Sequence, residues 1–290
     1  MKIRLGIAPP GSADFTQTVD LAEELGIDSL WISERVYDAS IDPFIGMAHA
    51  LSRTRALKVG FGVAILPGRH PVLVAKQLAS LAALHPRRVL PAFGVSPARP
   101  RERDAFPVDG PRGEVFDEGL SLLRQLLRQE QVTFKGDYYR VTDAGVGPLP
   151  AKPLDLWVGG SAPAALRRAG RLSDGWLGSL LTPAEAGARR EEIQRHAAEA
   201  GREIEPDHFG ISIAVALGDV SDDLLASIRR RRPDADPAAL VPAGWAAARA
   251  QVERYVAAGL TKFVVRPAGR EPGLREFLDG FTRELMPLQN

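Results

Sequence analysis

The stretch WVGGSAPAALRRAGRLSDGWL, residues 157–177, reads as strand, glycine turn, helix and strand in succession. Leu154, Leu156 and Val158 alternate with polar or small residues, the period of a strand entering a core. Gly159 and Gly160 carry no Cβ, so the backbone can turn sharply there and approach a ligand closely. Pro163 suits the first turn of a helix, where its missing N–H costs nothing. Residues 164–169 continue that helix, and Asp174-Gly175 precede the apolar pair Trp176-Leu177. A helix that starts just after Gly-Gly-Ser aims unpaired N–H groups at one spot and, with its dipole, favours phosphate or another anion. A tight strand-to-helix loop with no ligand explains the same letters, and the stretch leaves both readings open.

The same rhythm extends outward on both sides. Residues 3–8 (IRLGIA) form a first strand ending at Pro9-Pro10-Gly11, and Asp14 is placed to cap a helix with Val19, Ala22 and Leu25 on one face. Gly26 ends that helix, and residues 29–33 (SLWIS) form the second strand. Asp42-Pro43 opens a helix through Leu51, and residues 57–66 (LKVGFGVAIL) form the third strand. Pro71 opens a helix to Leu84, and residues 89–95 (VLPAFGV) form the fourth strand. A long amphipathic helix then carries Phe116, Leu120, Leu123 and Leu127. Residues 131–153 break the rhythm: VTFKGDYYRV predicts a hairpin turning at residues 135–137, an insertion over one end of the domain. Beyond the opening stretch, Pro183 starts a charged helix to Gly201, and residues 208–217 (HFGISIAVAL) form the seventh strand. Residues 218–243 are polar and proline-rich, a second insertion. A helix over 244–258, a strand over 262–266 (KFVVR) and a helix from Pro272 to Leu285 complete the chain.

Alternating strands and helices predict parallel strands with crossover helices. Eight such units predict one α/β domain over residues 1–290, a (β/α)8 TIM barrel with its site at the C-terminal strand ends. An open doubly wound sheet is disfavoured because the first turn, APPGSADF, lacks the Gly-x-Gly-x-x-Gly pattern.

The composition is that of a globular protein, with 45% apolar and 25% charged residues. A formal charge of +1 argues against a polycationic nucleic-acid surface. The chain has no cysteine, which excludes disulfides, thiolate metal sites and a cysteine nucleophile. The start, MKIRLGIAPPG, lacks the apolar run of a signal peptide, and no stretch has the length of a membrane span, so a cytoplasmic protein is expected.

In a barrel, Pro9-Pro10, Ser33-Glu34-Arg35, Gly62-Val63, Gly94-Val95-Ser96, residues 159–162, residues 176–179 and Arg266 converge on one pocket. That set is rich in glycine and poor in acids and bases, which suits a large flat ligand better than a catalytic triad. Packing alone is the competing reading of the glycines. Glu34 and Arg35 are adjacent opposite charges that either orient a polar ligand or pair with each other at the rim. The five histidines form no HExxH or His-x-His pair, so no metal is expected, and His70 reads as a capping or surface residue. Arg229 to Arg232 reads as a solvated helix end offset by nearby aspartates.

Several separated motifs carry a resemblance. Residues 23–31 (EELGIDSLW), residues 57–89, the Gly-Gly turn with GRLSDGW, and KFVVRP at 262–267 resemble, in the same order, the bacterial luciferase-like flavin and deazaflavin enzymes. LPGRHP and RRVLPAFG are similar to an actinobacterial branch of probable oxidoreductases using the 8-hydroxy-5-deazaflavin coenzyme F-420. The resemblance implies a (β/α)8 barrel, hydride transfer between F-420 and a small organic substrate, and a homodimer. It implies coenzyme contacts at Gly62, Val63, Gly94, Val95, Ser96, Gly159, Gly160, Ser161 and Ala162, with the phosphate on the last four. Gly62-Val63 falls where relatives have a strand-three bulge, often with a non-proline cis peptide. Glu34 and Arg35 stand where many relatives have Asp-His near the reacting carbon, which makes them the candidate catalytic pair. Pro97 stands where sugar-phosphate dehydrogenases carry an acid, so that substrate is not expected. Arg88 matches an arginine taken as structural. An FMN-dependent monooxygenase is the alternative, and a non-catalytic deazaflavin-binding barrel is a second.

Overall fold

The computed structural model describes residues 2–8, 15–269 and 273–290. Eight strands form a closed parallel barrel: β1 Arg4–Ile7, β2 Ser29–Ile32, β3 Lys58–Ile65, β4 Val89–Gly94, β7 Trp157–Gly159, β8 Gly175–Ser179, β9 Phe209–Val215 and β10 Lys262–Pro267. Their order around the barrel is β1-β10-β9-β8-β7-β4-β3-β2, and β1 pairs with β2 to close it. The expected TIM barrel is observed.

Proline and capping chemistry set several helix starts. In α2 (Pro43–Arg53) the Asp42 carboxylate accepts from the Phe44 and Ile45 N–H groups. α3 (Pro71–Leu84) begins at its expected proline, with His70 Nδ1 accepting from Val72 N–H, so His70 is the capping residue its position suggested. In α6 (Pro183–Glu199), Thr182 and Glu185 form a capping box. Gly26 follows α1 (Phe15–Glu24) at φ +67°, a conformation cheap for glycine. Arg88 donates to the Leu51 carbonyl in the last turn of α2 and to the Thr54 and Leu57 carbonyls beyond it, the structural role expected of it. The expected cap at Asp14, the Pro9-Pro10 turn and the helix start at Pro272 lie outside the described residues.

The apolar face of α4 (Arg112–Leu126) is buried at Phe116, Leu120 and Leu123, and Leu127 beyond its end is buried as well. The predicted hairpin is β5 (Val132–Lys135) against antiparallel β6 (Arg140–Ala144). Glu118 of α4 holds its turn through the Asp137, Tyr138 and Tyr139 N–H groups. α5 (Pro163–Leu172) follows β7. The second polar stretch is more ordered than its composition predicts. It contains α7 (Asp222–Arg231) and α8 (Pro237–Leu240), whose Leu224, Ile228 and Leu240 bury against Ala214, Ala216 and Ala268 at the ends of β9 and β10. These few apolar residues are spaced to meet a strand end, a partner that local composition does not reveal. α9 (Trp245–Ala257) and α10 (Leu274–Glu284) complete the helical ring. No helix among the described residues is long and apolar enough to cross a membrane.

Alternate residues of each strand face the barrel interior. Ala8, Trp31, Ala92, Trp157, Leu177 and Val264 fill it as one buried cluster. At the N-terminal end, Asp28 bonds Lys262 at 2.5 Å and Lys58 at 2.7 Å, with the Lys262 ammonium over the Trp31 ring. The interior is therefore packed below, and only its C-terminal end is free to receive a ligand.

Candidate functional site at the barrel mouth

The inner layer above Trp31 and Leu177 is built of small residues, with Ser33, Gly94, Gly159 and Ser179 at or just past four strand ends. One larger side chain enters it. Gly62-Val63 is a cis peptide, and the β3–β4 register shifts there. Val63 then lies across the neighbouring strands: a Cβ on Gly94 would meet Val63 Cγ2 at 2.6 Å, and one on Gly159 would meet Val63 Cγ1 at 2.8 Å. A Cβ on Gly62 would meet Leu177 at 2.9 Å and Trp31 at 3.2 Å. These three glycines therefore serve side-chain packing, and what they create is an apolar wall headed by Val63.

Beside that wall the β7–α5 turn has the geometry expected from its sequence. Gly160 has φ +112°, and the Trp176 indole N–H donates to its carbonyl at 2.8 Å, which anchors the turn. Ala162 is the N-cap of α5 and offers no side-chain cap, so the first N–H groups of the helix keep their capacity for an external acceptor. Val95 and Ser96, partly exposed, continue β4 into the segment leading to a 3-10 turn at Pro100–Ala105.

Glu34 and Arg35 part company. Glu34 is buried, with Arg69 donating to both carboxylate oxygens and the Ile65 N–H donating to Oε2 at 2.6 Å. Burial pushes its carboxyl up, against the pull of Arg69. Arg69 also donates to the Ile65 carbonyl and lies over the Phe44 and Phe106 rings. Of the two readings of this pair, mutual pairing of Glu34 with Arg35 at the rim is not what is observed: Glu34 pairs with Arg69. Arg35 instead lies 3.5 Å from Asp38, with its side chain 43% exposed. Asp38 also accepts from Arg99, which reaches Asp223 of α7 at 2.8 Å. Arg99 so links the loops after β2 and β4 to the helix after β9, across the mouth.

The arginine run at 229–232 is not simply solvated. Arg230 reaches the Ala98 carbonyl, Arg231 donates to Ser179 Oγ at 3.1 Å, and Arg232 bonds the Leu180 carbonyl and Glu185. α7 packs over the β8 and β9 ends, and its last turn therefore faces the mouth. Sequence spacing carried no signal of this.

A family model of the luciferase-like monooxygenases matches residues 4–269. The chain belongs to that family. An uncharacterized protein of Mycobacterium tuberculosis is 37% identical over 163 residues, 56% of each chain. An F-420-dependent glucose-6-phosphate dehydrogenase of Nakamurella multipartita is 30% identical over 212 residues, 67% of this chain and 61% of that one. These alignments thus span a little over half the length of the relatives. An F-420-dependent secondary alcohol dehydrogenase, solved with an F-420–acetone adduct, superposes over 100% of both chains with a TM-score of 0.82 at 20% identity, a likeness of fold.

Proposed function

We propose that this member of the family is an oxidoreductase that transfers a hydride between coenzyme F-420 and a small organic substrate. The observation that carries the reading is the pairing, at one side of the mouth, of the Val63 wall with an uncapped α5 N-terminus. A flat ring needs the first and a phosphate needs the second. The F-420 dependence named for the Nakamurella relative points the same way.

In this reading Gly159, Gly160, Ser161 and Ala162 hold the coenzyme phosphate. Val63 backs the ring, with Gly62 and Gly94 shaping its seat and Val95 and Ser96 at its edge. When bound, the deazaflavin supplies a carbon centre that carries hydride and does not readily form an oxygen adduct. The chain's own part is to orient the substrate against the ring and keep water out. Arg35, at the end of β2, stabilises negative charge on the reduced ring or on a substrate oxygen. Glu34 is a positioning residue: through Arg69 and Ile65 N–H it fixes the end of β3 behind Val63. The protein acts as a homodimer in the cytoplasm.

Paired fluorescence titrations of the purified protein with F-420 and with FMN test this. Micromolar or tighter binding of the deazaflavin, with FMN much weaker, is the expected result. Preferential FMN binding, with oxygen consumed in the presence of a flavin reductase, would make the protein a monooxygenase instead. A coenzyme that binds but is oxidised by no substrate would leave a carrier barrel.

A further inference from the structure

Three guanidinium groups stand along one arc of the mouth, from the end of β8, the strand beside β7, through β10 to the loop after β2. Arg266 is the last inward-facing residue of β10, two positions beyond Val264 of the interior cluster and paired in register with Ala214 of β9. Arg35 follows β2, which is separated from β10 only by β1. Arg231 comes down from α7 onto Ser179, the last residue of β8, which is separated from β10 only by β9.

Their charges are poorly compensated. Arg266 has neither a hydrogen bond nor an ion pair among the described residues, and Arg231 has no carboxylate partner there. Among the described residues Arg35 pairs only with Asp38, at 3.5 Å, and Asp38 is shared with Arg99. Of the other acids near Arg35, Glu34 is taken by Arg69, and Glu102 accepts from the Val36 and Tyr37 N–H groups and lies 3.9 Å from Arg99. Burial, then repulsion from Arg35 and from Arg231, pulls the Arg266 guanidinium down to about 10. A half-buried cation among like charges favours binding of an oxyanion, because unpaired buried charge is costly.

We infer that Arg35, Arg231 and Arg266 form a receptor for an oxyanionic group of the substrate, which places that substrate among organic acids and phosphate esters. The inference rests on the proposed hydride-transfer reading for the word "substrate", though the anion site itself does not. The guanidinium fork suits carboxylate and phosphate alike. The same chemistry is present in the phosphate-bearing tail of the coenzyme, and the experiment separates the two sources.

The probe is inorganic phosphate, titrated calorimetrically into coenzyme-free protein and into protein saturated with F-420, at two salt concentrations. The proteins are the natural chain, Arg266→Met and Arg231→Gln. Arg231 lies on the surface of α7, so its variant keeps the test open if Arg266→Met misfolds in thermal unfolding. We expect phosphate to bind the coenzyme-loaded protein, more weakly at high salt, and each variant to lose about tenfold or more in affinity while F-420 affinity is unchanged. Phosphate affinity indifferent to both variants, an adventitious ion only, would overturn the site. Phosphate displaced by F-420, with F-420 affinity falling in the variants, would give the arginines to the coenzyme and overturn the substrate assignment. Arginine-dependent phosphate binding in a protein that takes no deazaflavin would keep the anion site and sink the coenzyme reading.

Discussion

Arg69 clasps the Glu34 carboxylate with both terminal nitrogens, across 35 positions of sequence. The pair ties the end of β2 to the loop after β3, directly behind Val63. Glu34→Ala would leave the Arg69 guanidinium without its partner, and we expect a loss of about 3 kcal/mol of unfolding free energy in urea. Coenzyme affinity should fall with it, whereas Glu34→Gln should retain much of both. A Glu34→Ala protein of unchanged stability but abolished turnover would instead make Glu34 a catalytic residue.

Arg35→Ala is expected to lower kcat by about a hundredfold with coenzyme saturating, and to change KM for the coenzyme little. Steady-state kinetics with any accepted substrate check this. Unchanged turnover would remove Arg35 from the chemistry.

Gly94→Ala and Gly159→Ala each force a methyl into Val63. Each should destabilise the protein by about 1–3 kcal/mol and weaken deazaflavin binding. Val63→Ala clears the methyl that Gly94→Ala would strike, so the double variant should recover stability relative to Gly94→Ala alone. Additive losses in that double-mutant cycle would show that the wall does not depend on this contact.

Asp28 predicts part of the acid limb of stability. Burial pushes its carboxyl up, but Lys262 and Lys58 outweigh burial and hold it down, from an ordinary 3.8 to about 2. A folded value below the unfolded one gives stability that is complete above about pH 4 and lost as pH falls towards 2. The shift corresponds to about 2 kcal/mol at most. The net worth of the pair is smaller, since burial lowers Lys262 even with Asp28 beside it. Denaturant unfolding from pH 6 to 2 should show Asp28→Asn less stable than the natural chain above pH 4 and the two curves converging below it.

Much of this architecture is local and was therefore legible in the chain. Pro71 starts α3, Asp42 caps α2 and Gly26 ends α1, because each residue restricts or satisfies its own backbone. The hairpin at residues 132–144 and the turn at residues 159–162 followed from the same turn chemistry. Residues 218–243 were harder, because α7 and α8 owe their burial to Ala214, Ala216 and Ala268 rather than to a strong pattern of their own.

By itself the sequence determined the alternation of strand and helix, hence the barrel, and the glycine turn that opens α5. The tertiary structure alone decided which charges meet: Glu34 with Arg69 instead of its neighbour Arg35, and Arg231 with Ser179 across the mouth. It also decided that Gly94 and Gly159 make room for Val63. Backbone geometry is written in a few adjacent residues, whereas side-chain partners far apart in sequence exist only once the barrel has closed and brought its strand ends together.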